Sequence, residues 1–285
     1  MSMKYISVVK PGIIMGNLIT LIAGFALGTG ENFQPLLLLS TLTGMGLIMA
    51  SGCVVNNYID RDIDRLMERT KNRVSVTGEI SPAAMLFYAL GLLIVGVVIL
   101  YYLTNALTLL MAILGFVFYV VIYSLWLKRK NGLGTIMGGI SGAMPPVVGY
   151  VAASNRIDIG MLILFLILFF WQLPHFYAIA IYRGSDYKNA AIPVLPLRRG
   201  VAYTRMMMVI YIIAFSISVV LPSLFGYMGY VYFGFALAMS LIWLAVGIFS
   251  FNHEQVNAWA RKMFLLSIVA IMLISVMMIM RVINI

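Results

Sequence analysis

Long uncharged apolar stretches dominate this chain, running over residues 12–30, 36–59, 82–103, 105–126, 134–153, 158–182, 203–225, 229–250 and 260–281. A helix needs about 20 such residues to cross a bilayer. Lipid leaves no water to satisfy backbone polar groups, so a spanning segment must be a helix or part of a closed barrel. These runs are too long for barrel strands and lack their alternation. Composition agrees: 63% of the 285 residues are hydrophobic and 10% charged, with a mean hydropathy of +1.03. Water-soluble domains carry about 25% charge. The expected fold is all-α and polytopic, with about nine transmembrane helices in a single domain over residues 1–285.

The segment MSMKYISVVKPG has neither a small-residue cleavage site nor the Arg- and Ser-rich character of a transit peptide. The first apolar stretch is therefore expected to persist as a helix, and the protein to be bacterial. The single cysteine, Cys53, cannot form an internal disulfide and reads as a small core residue.

Lysine and arginine placement sets the orientation. With the N-terminus in the cytosol, seventeen of the nineteen cations fall on the cytosolic side, and only Arg156 and Arg281 fall outside. The net charge of +10 thus belongs to one membrane face. It marks topology and attraction to anionic headgroups, or an anionic substrate arriving from the cytosol, and does not suggest nucleic acid. The C-terminus is expected on the outer side of the cytoplasmic (inner) membrane. Two cytosolic connections, 60–81 and 183–202, are long and hold most of the polar chemistry.

Within SGCVVNNYIDRDIDRLMERTKNR, Asn56, Asp60 and Asp64 recur every four residues. Each step drifts about 40° around a helix, so the three share one side, and Glu68 extends the stripe if the helix persists. Arg61, Arg65, Arg69 and Arg73 form a second stripe about 100° away. A simpler reading is a juxtamembrane helix stitched by Arg61–Asp64 and Arg65–Glu68 pairs.

A second acidic position favours function. In WQLPHFYAIAIYRGSDYKNAAIPVLP, Tyr182 lies four residues before Asp186 and His175 eleven before it. A continuing helix would place His175 on the same seam, about 16 Å deeper, with Pro174 bending the helix beside it. Asp and Asn oxygens select hard cations, and a site with few protein ligands suits Mg²⁺ shared with phosphate oxygens. Carboxylates flanked by cations at the mouth of an apolar bundle suit a ligand with a diphosphate head and a hydrocarbon tail. Arg69, Arg73, Arg183 and Lys188 are candidate diphosphate contacts, with Arg61 beside them. Lys128, Arg129 and Lys130 read chiefly as a membrane anchor, with propionate contact as a minor alternative. His253 reads as solvated. Pro145 and Pro146, within the small-residue stretch 138–149, are expected to break or bend that helix.

NNYIDRDIDRLMERTKNR resembles the first aspartate-rich motif of the UbiA superfamily of intramembrane prenyltransferases, and most resembles its haem-farnesylating branch. VVKPGIIMGNLIT, SGAMPPVVGY, WQLPHFYAIAIYRGSDYKNAAIPVLP and WARKMF extend the match almost end to end. The resemblance implies nine helices around a central cavity open to the cytosol. Asn56, Asp60 and Asp64 carry over as the first Mg²⁺–diphosphate motif. Asn57 stands where most of the superfamily has Asp and is a weaker ligand. Tyr182 and Asp186 replace a paired-aspartate second motif, leaving Asp186 its only carboxylate. The implied reaction transfers farnesyl from farnesyl diphosphate to a vinyl group of haem B. Water then adds a hydroxyl, giving haem O and diphosphate. Implied partners are the bilayer and a haem A-forming enzyme or terminal oxidase assembly.

His175 is expected on the haem side, as an axial ligand or orienting group; the alternative is a packing histidine bonded to a carbonyl or a tyrosine. Two other readings use the same residues. A prenyltransferase for a quinone precursor such as 4-hydroxybenzoate would share the aspartates but not need the ring-binding wall around His175. An ion-coupled transporter would place its charges near the membrane midplane rather than at the helix ends.

Overall fold

A computed structural model describes residues 3–30, 32–130 and 134–283. Among these, nine helices are long and apolar enough to cross a membrane. They comprise α1 (Pro11–Gly28), α2 (Pro35–Ile59), α3 (Pro82–Leu103), and α4 (Ala106–Val117) continued by a π-helix over Phe118–Leu127. The fifth span is built from α5 (Gly134–Gly142) and α6 (Met144–Ser154). Then follow α7 (Ile159–Tyr182), α8 (Leu195–Leu224), α9 (Tyr230–Phe249) and α10 (Val256–Ile283).

Local chemistry sets these boundaries. Pro11, Pro35 and Pro82 occupy first-turn positions, where a missing N–H costs nothing. The side chains of Ser81, Asn105 and Asp158 cap α3, α4 and α7 by accepting from Ala84, Thr108 and Gly160 N–H groups. The fifth span divides at Ala143, just before Pro145 and Pro146, as the two prolines predict. Pro174 is accommodated inside α7. The seventh span begins earlier than hydropathy suggests, because Leu195–Arg199 is already helical. Gly200, at φ 81° and ψ 167°, turns the chain before the apolar run starts.

Packing between helices rests on small residues at close approaches. Where α1 crosses α6, a side chain at Gly24 would strike the Pro146 carbonyl, and one at Gly149 the Leu21 carbonyl. Similar contacts join α2 to α3, where Gly44 faces Leu100 and Gly96 faces Ile48. A second core joins α7, α8, α9 and α10 through Ile163, Phe215, Trp243, Met263 and Ile271. The outward faces stay apolar, as lipid requires.

Away from the spans, the two long connections fold onto one another. Ile63 and Met67 from the first pack with Ala190 and Ile192 from the second, flanked by Tyr187 and Val194. This small apolar clasp brings the two acidic segments together.

Candidate functional site

The α2 helix ends at Ile59, and Asp60 sits at the junction with a short helix, Arg61–Asp64. The single long stripe expected from the sequence is therefore interrupted, yet its start survives. The Asp60 N–H donates to the Asn56 carbonyl at 2.9 Å and the Asp64 N–H to the Asp60 carbonyl at 2.8 Å. Asn56 Nδ2 donates to Asp60 Oδ2 at 2.8 Å and to Ser124 Oγ at 3.0 Å. Glu68 leaves the stripe: its side chain points to solvent and pairs with Lys71 at 2.6 Å. Neither expected pair forms. Arg61 instead lies over the Tyr58 ring, with Arg65 exposed.

Asn56, Asn57, Asp60, Asp64 and Asp186 are all buried. Buried charges must be paired, and the pairing is specific. Lys128 meets Asp60 Oδ2 in an ion pair. Arg73 donates to Asp64 Oδ2 at 2.6 Å and to Asn57 Oδ1 at 3.2 Å. Lys10 donates to Asn56 Oδ1 at 2.6 Å. Asn57 Nδ2 is spent on the Val8 carbonyl at 2.7 Å. Asp186 Oδ1 accepts the Glu68 backbone N–H at 3.0 Å, joining the two loops. Burial lowers the Lys10 ammonium to about 8. At the solvent edge, hydrogen bonds from Arg129 hold the Asp62 carboxyl below its usual range.

Asp186 does not share a helix with His175. The α7 helix stops at Tyr182, and Asp186 belongs to a separate short helix, Gly184–Asn189. The seam drawn through Tyr182, Asp186 and His175 assumed a continuation that Arg183 and Gly184 interrupt. Arg183 is exposed and stacks over the Tyr182 ring, and Lys188 and Arg69 are also exposed. Of the cations proposed from the sequence for a diphosphate, Arg73 alone touches a buried acidic residue among the described residues.

In the sequence Lys10 carries only a topology signal and Lys128 reads chiefly as a membrane anchor, with propionate contact as a minor alternative, yet both enter the site. Lys128 lies 68 residues from Asp60, so spacing gave no clue. Its placement depends on the π-helix, whose i→i+5 bonding puts the Lys128 N–H on the Tyr123 carbonyl at 2.9 Å. Within the same segment, Ser124 Oγ bonds the Tyr119 carbonyl at 2.8 Å, and the stacked rings of Tyr119 and Tyr123 stand 6.1 Å apart. A propensity scan has no signal for such a segment.

Among the described residues, no three His, Cys, Asp or Glu side chains form a ready-made metal cluster. One acceptor nevertheless remains open: Asp60 Oδ1 is buried without a hydrogen bond, and Arg129 Nη2 lies 3.9 Å away. A buried unsatisfied carboxylate oxygen is costly. With Asn56 and Asp64 close by, the donor set fits a hard cation better than a soft one.

Deeper in the bundle, His175 packs between α7 and α10. Its ring stacks on Trp171 at 4.7 Å and lies 4.8 Å from Phe264, and Nδ1 is 2.7 Å from Ser267 Oγ. The Tyr182 ring also lies against Phe264, 5.7 Å between centroids. A groove of about 870 Å³ opens between α9 and α10, with Tyr182, Arg261 and Lys262 at its polar end.

Comparison with known proteins places this arrangement. Residues 17–269 match the UbiA prenyltransferase family. A protein named protoheme IX farnesyltransferase from Yersinia pseudotuberculosis is 50% identical over 275 residues, covering 96% of this chain and 93% of the relative. Its namesake from Sodalis glossinidius is 52% identical over 278 residues, covering 96% and 93%. Among solved structures, one described for digeranylgeranylglyceryl phosphate synthase in membranes matches with TM-score 0.81 at 18% identity, over 99% of this chain and 98% of that one. A UbiA homologue from Archaeoglobus fulgidus bound to GPP and Mg²⁺ matches with TM-score 0.75 at 19% identity, over 97% and 99%.

Proposed function

The chain belongs to the UbiA prenyltransferase family, and from that premise we infer that it transfers the farnesyl group of farnesyl diphosphate to a vinyl group of haem B, giving haem O. The observation that carries this reading is the buried Asn56–Asp60–Asp64 cluster with its open carboxylate oxygen, in a chain half identical to protoheme IX farnesyltransferases over most of its length.

Asn56, Asp60, Asp64 and Asp186 would hold Mg²⁺ against the diphosphate, with farnesyl in a central cavity among the helices. The ion supplies charge neutralisation of the leaving diphosphate. The protein's own cations do the rest. Arg73 and Lys128 pair with the Asp64 and Asp60 carboxylates and Lys10 with the Asn56 amide oxygen, and all three can turn to diphosphate oxygens as charge develops on them. The apolar bundle excludes water while the allylic C–O bond breaks. The vinyl terminal carbon then bonds to the farnesyl carbon, and the new cation beside the porphyrin takes hydroxyl from water, whose proton leaves. Diphosphate carries away the electron pair of the broken bond.

A single domain over residues 1–285, with the N-terminus in the cytosol and the bundle in the bacterial inner membrane, accounts for the one-sided charge. The farnesylated product is lipophilic, so a haem A-forming enzyme or a terminal oxidase assembly would receive it within the bilayer.

The test is mass spectrometry of the purified protein given haem B, farnesyl diphosphate and Mg²⁺. Wild type is expected to yield haem carrying both farnesyl and hydroxyl, and Asp186→Ala to lose it. No such product from folded, haem-binding protein, with prenylated 4-hydroxybenzoate formed instead, would overturn the reading.

The same assay separates the cations. Arg73→Ala is expected to lower kcat/KM for farnesyl diphosphate about 100-fold, because a buried charged partner is lost with it. Arg183→Ala and Lys188→Ala, both at exposed positions, are expected to change it less than about threefold. Equal losses at all three positions would refute this ranking.

A further inference from the structure

Ser267 Oγ lies 2.6 Å from the Phe264 carbonyl and 2.7 Å from His175 Nδ1. A carbonyl can only accept, and a hydroxyl has one proton to give. That proton goes to Phe264, so Ser267 Oγ accepts from His175, and the hydrogen of the neutral imidazole sits on Nδ1. The lone pair is then on Nε2. Ser267 is fully buried, with no solvent to offer an alternative. Its carbonyl is also engaged, accepting from Trp171 Nε1 at 2.7 Å, while the Trp171 ring stacks on the imidazole with 28° between planes.

Among the described residues, Nε2 takes no partner, and His175 keeps part of its surface open. A histidine serving only to pack two helices would be expected to satisfy both nitrogens. Here one nitrogen is tied down and the other is left available between aromatic faces, an arrangement suited to a metalloporphyrin.

We propose that Ser267 is a positioning residue for the haem substrate: it fixes the Nδ1–H tautomer of His175 and so presents the Nε2 lone pair to haem iron. This rests on the haem-farnesylating reading above.

The chain has two histidines, so His253→Asn leaves one, and ¹⁵N NMR of the imidazole in lipid nanodiscs reads its tautomer directly. The haem-free protein is expected to show protonated Nδ1 and bare Nε2. Ser267→Thr keeps that state. Ser267→Ala mixes the tautomers and weakens ferric haem binding, followed by the Soret band, about tenfold, in the range of lost outer-shell partners. A ring protonated at Nε2, or a Ser267→Ala variant unchanged in tautomer and affinity, overturns the proposal.

His175→Ala separates this from the parent reading. It is expected to abolish the imidazole-type haem spectrum, with added imidazole restoring it. An unchanged spectrum removes His175 from the iron and overturns the proposal even where haem O still forms. An intact imidazole signature without product overturns the catalytic reading and leaves the ligation standing.

Discussion

Asp60→Ala is expected to lower the rate of farnesyl transfer by about 10³-fold, the scale of losing a principal electrostatic stabiliser of a leaving group. It is also expected to destabilise the fold, because Lys128 would remain mostly buried with no counter-charge. Breaking such a pair costs about 3–5 kcal/mol. The two losses separate in the double variant Asp60→Ala with Lys128→Ala. Removing both charges should recover most of the thermal stability and none of the activity. Measurements are the single-turnover rate and the unfolding midpoint in detergent. Recovery of activity in the double variant, or full activity in Asp60→Ala, would dismiss Asp60 from the chemistry.

Gly149→Val is expected to prevent assembly of the bundle, and Gly24→Val to do the same. At each position the new Cβ would occupy the place of a backbone carbonyl, that of Leu21 or Pro146. A flexible side chain could yield, but two helical backbones can only separate. The cost should exceed the roughly 1–3 kcal/mol of ordinary overpacking. Gly12→Ala is the control, since nothing lies within 4 Å of its added carbon. Size-exclusion profiles and yield of monodisperse protein report the result. Normal profiles for both valine variants would show that α1 and α6 are not held at this crossing.

The spans were legible because hydropathy at this length has one solution in lipid; the caps at Ser81, Asn105 and Asp158 that fix three of their ends emerge only in the structure. Asn56, Asp60 and Asp64 were legible as neighbours because their proximity is encoded within eight residues of chain. The site's cations were harder to read. Lys10 and Lys128 reach it from other helices, and positive charge at a helix end already has an ordinary explanation in topology. Arg183 and Lys188 adjoin Asp186 in sequence but stay exposed, while the buried Asp186 carboxylate faces the opposite loop. The π-helix was illegible altogether, because its residues have no composition that distinguishes them from an α-helix.

The bond from the Glu68 backbone N–H to Asp186 hides from any comparison of side chains. Its donor belongs to the peptide group, so nineteen of the twenty amino acids can supply it. Position 68 can therefore drift freely among relatives, and a survey of sequence variation would score it as unimportant while the bond persists underneath. Proline alone, lacking the N–H, should be missing from that column.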